Sequence, residues 1–152
     1  MIYTSYIVTE LGIIEIRATS RKLLSVLFVE EENENVTENE ITRRCAKELL
    51  EYFEGKRKEF DISLEIDGSE FQKLVWNEIL KIPYGTVTTY KEIARRIGRE
   101  NSVRAVGNII GKNPILIMVP CHRIVGSNGK MTGYVAGIEK KEMLLKLEQD
   151  NS

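Results

Sequence analysis

The sequence predicts an α/β domain followed by an α-helical one: a small N-terminal antiparallel sheet with a helix, then a helical domain with a helix-turn-helix. Three observations carry this. β-branched runs crowd the first thirty residues. From residue 69 onward, helix caps and 3.6-residue periodicity take over. The charge divides at the same place. Residues 1–68 hold 9 Lys/Arg and 15 Asp/Glu, a balance of −6, whereas residues 69–152 hold 13 and 8, a balance of +5, within a net charge of −1. The break is placed at Asp67-Gly68, giving domains 1–68 and 69–152. A basic half is what an anionic partner requires; the alternative is chance plus a solvated acidic linker.

In chain order, residues 3–8 and 13–18 flank Leu11-Gly12 as a hairpin, and residues 23–29 form a third strand. The acidic run at residues 30–35 has no periodicity and reads as an exposed loop. Residues 41–54 predict a helix with Ile41, Cys45, Leu49 and Tyr52 on one stripe, ended by Gly55; Cys45 is expected to be a small buried core residue. Residues 60–66 read as a strand or an extended linker. Ser69 and Gln72 form a capping box that opens a helix to about Ile82, with Phe71, Leu74, Val75, Ile79 and Leu80 inward. Thr89 and Glu92 form a second box, opening a short helix through Ile97. A four-residue turn, residues 98–101, leads to Ser102, expected to cap a helix ending near Lys112. Two short helices so joined are a helix-turn-helix or an ordinary αα-corner. Residues 115–119 predict a buried extended segment, residues 126–130 a surface turn and residues 133–137 a Gly-rich loop. A last helix over residues 138–149 buries Leu144, Leu145 and Leu147 and carries Glu148 in its final turn.

Composition excludes several function classes. The longest apolar run, residues 115–119, is too short to span a bilayer, and residues 1–5 lack the regions of a signal peptide. No membrane association and a cytoplasmic location are therefore expected. Two cysteines 76 positions apart make no disulfide framework. With one histidine, the chain offers three Cys/His ligands where a structural zinc site needs four, so no metal is expected.

Chemistry concentrates at Pro120-Cys121-His122-Arg123. Pro120 restrains the backbone just before Cys121, which holds the thiol in a defined place. His122, the only imidazole, can take the thiol proton, directly or through water, leaving the nucleophilic thiolate. On an extended backbone the two side chains point to opposite sides, so a bent backbone or a bridging water is needed. A carboxylate that orients the imidazole would complete the set. The other reading is a buried structural cysteine beside a surface histidine, and the residues alone leave both open.

That tetrad, preceded by Asn113-Pro114 and by Arg104-Ala105-Val106-Gly107 and followed by Gly133-Tyr134, closely resembles the O6-alkylguanine-DNA alkyltransferase family, the methylated-DNA–protein-cysteine methyltransferases. The resemblance runs from about Phe71 to Glu148; the N-terminal part fits in outline, as a ribonuclease-H-like sheet plus helix. It implies that Cys121 accepts an alkyl group from O6 of guanine, and from O4 of thymine, in double-stranded DNA, once per molecule and without a cofactor, with the base flipped out. It implies His122 as the base, Glu148 as its orienting carboxylate, Asn113 as a hinge, and Tyr90 as a donor to the flipped guanine. Tyr134, Val135, Ile124 and Arg123 are expected at the substrate. Arg104 is expected to enter the base stack, with Ser102, Ala105, Lys91 and Arg95 at the DNA. A monomer is expected. Ala136 departs from the family, many of whose members carry Gly there; the extra methyl narrows the pocket or disfavours a positive φ. Alkyltransferase-like proteins, the nearest rival, have tryptophan where this chain has Cys121.

Overall fold

The computed structural model describes all 152 residues. They form two compact units, Met1–Glu65 and Ile66–Ser152.

In the first unit, β1 (Tyr3–Thr9), β2 (Gly12–Ala18) and β3 (Leu23–Val29) make an antiparallel sheet in the order β1-β2-β3. Thr9 pairs with Gly12 across the tight turn, where Gly12 takes φ 131°. Ile7 faces Ile14 and Ile16 faces Val26, so one sheet face is apolar and buried. Helix α1 (Glu40–Phe53) packs on β1 and β2. It is opened by a capping box between Asn39 and Thr42, not by Ile41. Its buried face is Thr42, Cys45, Glu48, Leu49 and Tyr52; Ile41 lies only partly within it. Two polar residues replace expected apolar ones because each has partners. Thr42 Oγ1 accepts from the Ser5 hydroxyl at 2.8 Å, and Glu48 accepts from the amides of Asp61 and Ile62. Those bonds hold residues 60–65 down without any strand.

In the second unit, the Ser69–Gln72 capping box is present and opens α2 (Glu70–Ile79). The inward face is Val75, Trp76 and Ile79, whereas Leu74 and Leu80 are exposed. The stripe is therefore rotated from the expected one, because Trp76, the largest side chain of the helix, takes the core position. Strand β4 (Thr88–Thr89) leads into α3 (Tyr90–Arg96), and α4 (Val103–Ile110) follows a 3-10 turn at Glu100–Ser102. Thr89 caps α3, but Glu92 does not cap in return: its carboxylate binds Arg95 and Arg96. Ser102 stands at the start of α4 without a capping bond, and α4 ends at Ile110, not near Lys112. Helices α2, α3 and α4 pack against one another. Strand β5 (Ile124–Val125) pairs in parallel with β4, Thr88 beside Ile124 and Thr89 beside Val125. Helix α5 (Ile138–Asn151) buries Lys141, Leu144, Leu145 and Glu148, with Leu147 half-buried. No helix is long and apolar enough to cross a membrane.

Residues 115–119 are buried as expected but are not extended. The Val119 amide donates to the Ile115 carbonyl at 3.1 Å, and Ile117 has φ 72°. Ile117 is the chain's one non-glycine residue in the left-handed region. For a β-branched residue that conformation costs on the order of 1–3 kcal/mol, which the surrounding bonds must offset. Asn113 supplies two of them: its Oδ1 accepts from the Ile115 amide at 2.9 Å and its Nδ2 donates to the Val119 carbonyl at 2.9 Å.

Candidate active site

The turn that Asn113 staples delivers Cys121. The same Nδ2 lies 3.1 Å from Cys121 Sγ, so one amide group fixes both the turn and the thiol. Pro120 ends the turn, and Cys121–Arg123 form a single 3-10 turn. Consecutive side chains are then about 120° apart around the axis, not on opposite sides as an extended strand would place them. The bent backbone is one of the two routes that let the thiol and the imidazole serve one site.

Cys121 is 4% exposed. Burial pushes its thiol up to about 11, against the smaller opposing pulls of the Asn113 amide and the Lys141 charge. At neutral pH the resting thiol is therefore protonated. His122 is fully buried, which excludes the surface-histidine alternative. Its Nε2 lies 2.6 Å from Glu148 Oε2, and its Nδ1 is buried with no hydrogen-bond partner. Burial lowers the imidazole below its usual range despite the Glu148 carboxylate, which raises it. The ring is therefore neutral, with its proton on Nε2 toward the carboxylate and a lone pair on Nδ1.

Glu148 is also fully buried, and α5 aims it at four donors. Besides His122, it accepts from Arg123 Nε at 2.8 Å, Arg123 Nη2 at 3.0 Å and the Gly85 amide at 3.2 Å. Burial alone would raise its carboxyl; the bonds from His122 and Arg123 outweigh it and hold the carboxyl well below the usual range. Arg123 departs from its expected place at the substrate. Its three donor nitrogens are committed, two to Glu148 and Nη1 to the Ile82 carbonyl at 2.7 Å, and only 6% of the residue is exposed. A guanidinium so enclosed reaches inward because that is where the buried carboxylate is.

Lys141 is a buried charged side chain beside the site that sequence reasoning missed. It is fully buried, and its Nζ donates to the carbonyls of Ile124 at 2.5 Å and Thr132 at 2.8 Å. The Ile124 carbonyl, expected at the substrate edge, is thus already bonded. Spacing does carry a signal for Lys141: it lies two helical turns before Glu148, on the stripe of Leu144 and Leu145. Tyr90 Oη donates to the same Thr132 carbonyl at 3.3 Å. The β4–β5 pairing explains why Tyr90, first in α3, comes to the loop after Cys121. Tyr134 is 8% exposed with its hydroxyl buried and unpartnered, whereas Val135 is exposed. Ala136 does not have a positive φ, so its methyl carries no backbone cost.

A cleft of about 480 Å³ is lined by Tyr90, Lys91, Val103, Gly107, Ser127, Thr132 and Gly133. At Gly133, with φ 61°, a β-carbon would come 3.4 Å from Tyr90 Oη. Arg104 and Ala105, on the first turn of α4, are exposed, as is Lys91; Ser102 is half-buried. Arg104 makes no ion pair, whereas Arg95 and Arg96 share Glu92, whose carboxyl is held down to about 2 chiefly by the Arg95 bonds, against desolvation and with help from Arg96. The charge of Arg95, expected at the DNA, is thus partly matched by Glu92, whereas those of Arg104 and Lys91 have no acidic side chain paired to them. No three His, Cys, Asp or Glu side chains gather in a way that could hold a metal ion.

Comparison with known proteins places this geometry. Residues 70–150 match the 6-O-methylguanine DNA methyltransferase DNA binding domain, and residues 2–66 match the ribonuclease-like domain of the same family. A methylated-DNA–protein-cysteine methyltransferase of Methanosarcina barkeri is 51% identical over 109 residues, 72% of this chain and 69% of that protein. Its counterpart in Methanosarcina acetivorans is 51% identical over 113 residues, 74% of this chain and 72% of that protein. The crystal structure of Mycobacterium tuberculosis OGT in complex with DNA superposes with a TM-score of 0.89 at 37% identity, covering 99% of this chain and 94% of that one. With both of its parts matched, and with Cys121, His122 and Glu148 gathered in the part that matches the DNA-binding domain, the chain belongs to the 6-O-methylguanine DNA methyltransferase family.

Proposed function

We propose that this protein repairs double-stranded DNA by moving a methyl or larger alkyl group from O6 of guanine, and from O4 of thymine, onto Cys121 Sγ. The observation that carries the reading is the buried Cys121 thiol, held by Asn113 beside a neutral His122 that Glu148 orients. His122 Nδ1 takes the thiol proton through a water, and the thiolate attacks the alkyl carbon. The S–C bond forms as the C–O6 bond breaks, and the electron pair leaves on the guanine oxygen, which the Tyr90 hydroxyl stabilises by donation. The product is a thioether. Its sulfur is a very poor leaving group, so each molecule reacts once. No step requires a metal or a cofactor.

The alkylated base must leave the duplex to reach a buried thiol. The exposed Arg104, at the start of the second helix of the α3–α4 helix-turn-helix, fills the vacated stack, while Lys91 and the neighbouring backbone hold phosphates. Tyr134 walls the pocket and Val135 meets the base edge. The protein acts as a monomer in the cytoplasm.

The test is to mix the protein with duplex DNA bearing O6-methylguanine and weigh the intact protein and its peptides. The expected result is one added methylene mass, on the peptide containing Cys121, saturating at one per molecule; Cys121→Ser should add none while still binding the lesion. Repeated turnover, or transfer by Cys121→Ser, overturns the reading.

A further inference from the structure

We propose that Arg123 is a positioning residue of this site: it neutralises Glu148 in the resting protein, so that His122 is oriented by a carboxylate without being charged by it. The proposal rests on the reading of Cys121 as the alkyl acceptor and adds to it a role for the fourth residue of the Pro-Cys-His-Arg run.

The geometry is as follows. A buried carboxylate 2.6 Å from an imidazole would ordinarily draw a second proton onto the ring, giving an ion pair. A ring that already holds two protons cannot accept one from a thiol. Here the Arg123 fork straddles the same carboxylate, Nε on Oε1 and Nη2 on Oε2, while His122 shares Oε2. Guanidinium and carboxylate cancel, and the imidazole keeps the hydrogen bond without the full field of an unpaired anion. Burial is the largest influence keeping the ring neutral, Glu148 opposes it, and Arg123 adds to burial by cancelling part of the Glu148 charge. From α5, Glu148 favours the charged ring and Lys141 opposes it; from the 3-10 turn, Arg123 opposes it. Cys121 and Tyr134 are uncharged near neutral pH, both pushed up by burial.

Arg123 also sets where the carboxylate sits. Its Nη1 holds the Ile82 carbonyl, and the Gly85 amide donates to Glu148 Oε1, so the two ends of the 82–85 loop grip the ion pair from both sides. The fork cannot leave Glu148 without releasing that loop. A lysine supplies the charge but not the planar, three-point geometry.

His122 is the single histidine of the chain, so its ring NMR signals need no assignment. The experiment follows the ¹H–¹⁵N ring resonances of the full-length protein with pH, in wild type, Arg123→Gln and Arg123→Lys, beside the transfer rate at pH 6 and pH 8. In wild type the ring should be the Nε2–H tautomer and should remain neutral below pH 6.5, the ordinary imidazole midpoint. Arg123→Gln should take up the proton at higher pH. Whether that proton rests on the ring or on the released carboxylate, the pH 6 rate relative to pH 8 should fall by roughly threefold or more. Arg123→Lys should lose stability yet keep the wild-type titration. A structural role alone would lower stability in both variants and leave the titration of the folded protein unmoved. A wild-type ring that protonates at or above pH 6.5 overturns the proposal even if neither variant folds, and so does an unchanged titration in folded Arg123→Gln. Failure of the acceptor reading is distinguishable: the wild-type ring would titrate as described while Cys121 gained no mass.

Discussion

His122 and Glu148 meet through Nε2 and Oε2 at 2.6 Å with both side chains fully buried, and this contact assigns the proton on the imidazole. The hydrogen must lie on Nε2 to satisfy the carboxylate, which leaves Nδ1, the buried nitrogen without a partner, as the acceptor. In the proposed reaction that acceptor takes the proton of a thiol raised to about 11.

Replacing His122 with alanine should therefore slow transfer at pH 7 by about a hundredfold, the lower end of what a general base contributes. Raising the pH should recover part of the loss, since hydroxide ionises the thiol as pH approaches its raised value. Rates for both proteins between pH 6 and pH 10 decide this; parallel profiles would mean that Cys121 is activated by another group.

Glu148 bears on stability as much as on chemistry. Reading the sequence alone, Glu148→Gln is mild, because an amide still accepts the imidazole bond. With Arg123 also buried on the same carboxylate, it leaves a guanidinium without its counter-ion, and a loss of about 3 kcal/mol is expected. Acid should act in the same direction. The folded-state values of Glu148 and His122 are both depressed, so their contributions are complete above the unfolded values of 4.5 and 6.5 and are lost as pH falls. The urea midpoint should drop between pH 7.5 and pH 5 through His122 and drop again below pH 4.5 through Glu148; in Glu148→Gln the second drop should be smaller, and equal slopes below pH 4.5 would remove Glu148 from the acid response.

If Arg104 enters the base stack as proposed, its loss separates extrusion from docking. Arg104→Ala should slow transfer from duplex DNA by one to a few kcal/mol, about the scale of unstacking, and leave reaction with the free methylated base nearly unchanged. The measurement is the ratio of duplex to free-base rates; the same ratio in both proteins would take Arg104 out of flipping. Lys91→Ala should instead lower the salt slope of binding by roughly one unit.

Lys141 ties β5 to the loop that carries Thr132 and Tyr134. Lys141→Met keeps the volume but takes the side-chain donor from the Ile124 carbonyl, leaves the Thr132 carbonyl to Tyr90 alone, and removes a positive charge that favours the thiolate. Thermal stability should fall by about 2 kcal/mol, and the thiol of the folded variant should ionise at higher pH. Thiol titration by ultraviolet absorbance reads the second effect; an unmoved thiol would confine Lys141 to a structural role.

The sequence by itself determined what is local. Capping at Ser69 and Thr89, the hairpin at Gly12 and the three strands follow from residues within a few positions of one another, because caps, turns and pleats are short-range. It also named His122, Glu148 and Asn113, through a resemblance whose spacing is linear. What only the tertiary structure decided is how side chains far apart in sequence share one buried charge. Arg123 turns from substrate to Glu148, Lys141 enters the core, Trp76 displaces Leu74 and Leu80, and residues 115–119 fold back through Ile117. Each outcome depends on which groups burial forces to find a partner; periodicity places Lys141 on the buried stripe, but neither periodicity nor propensity names the partner of a buried arginine or lysine.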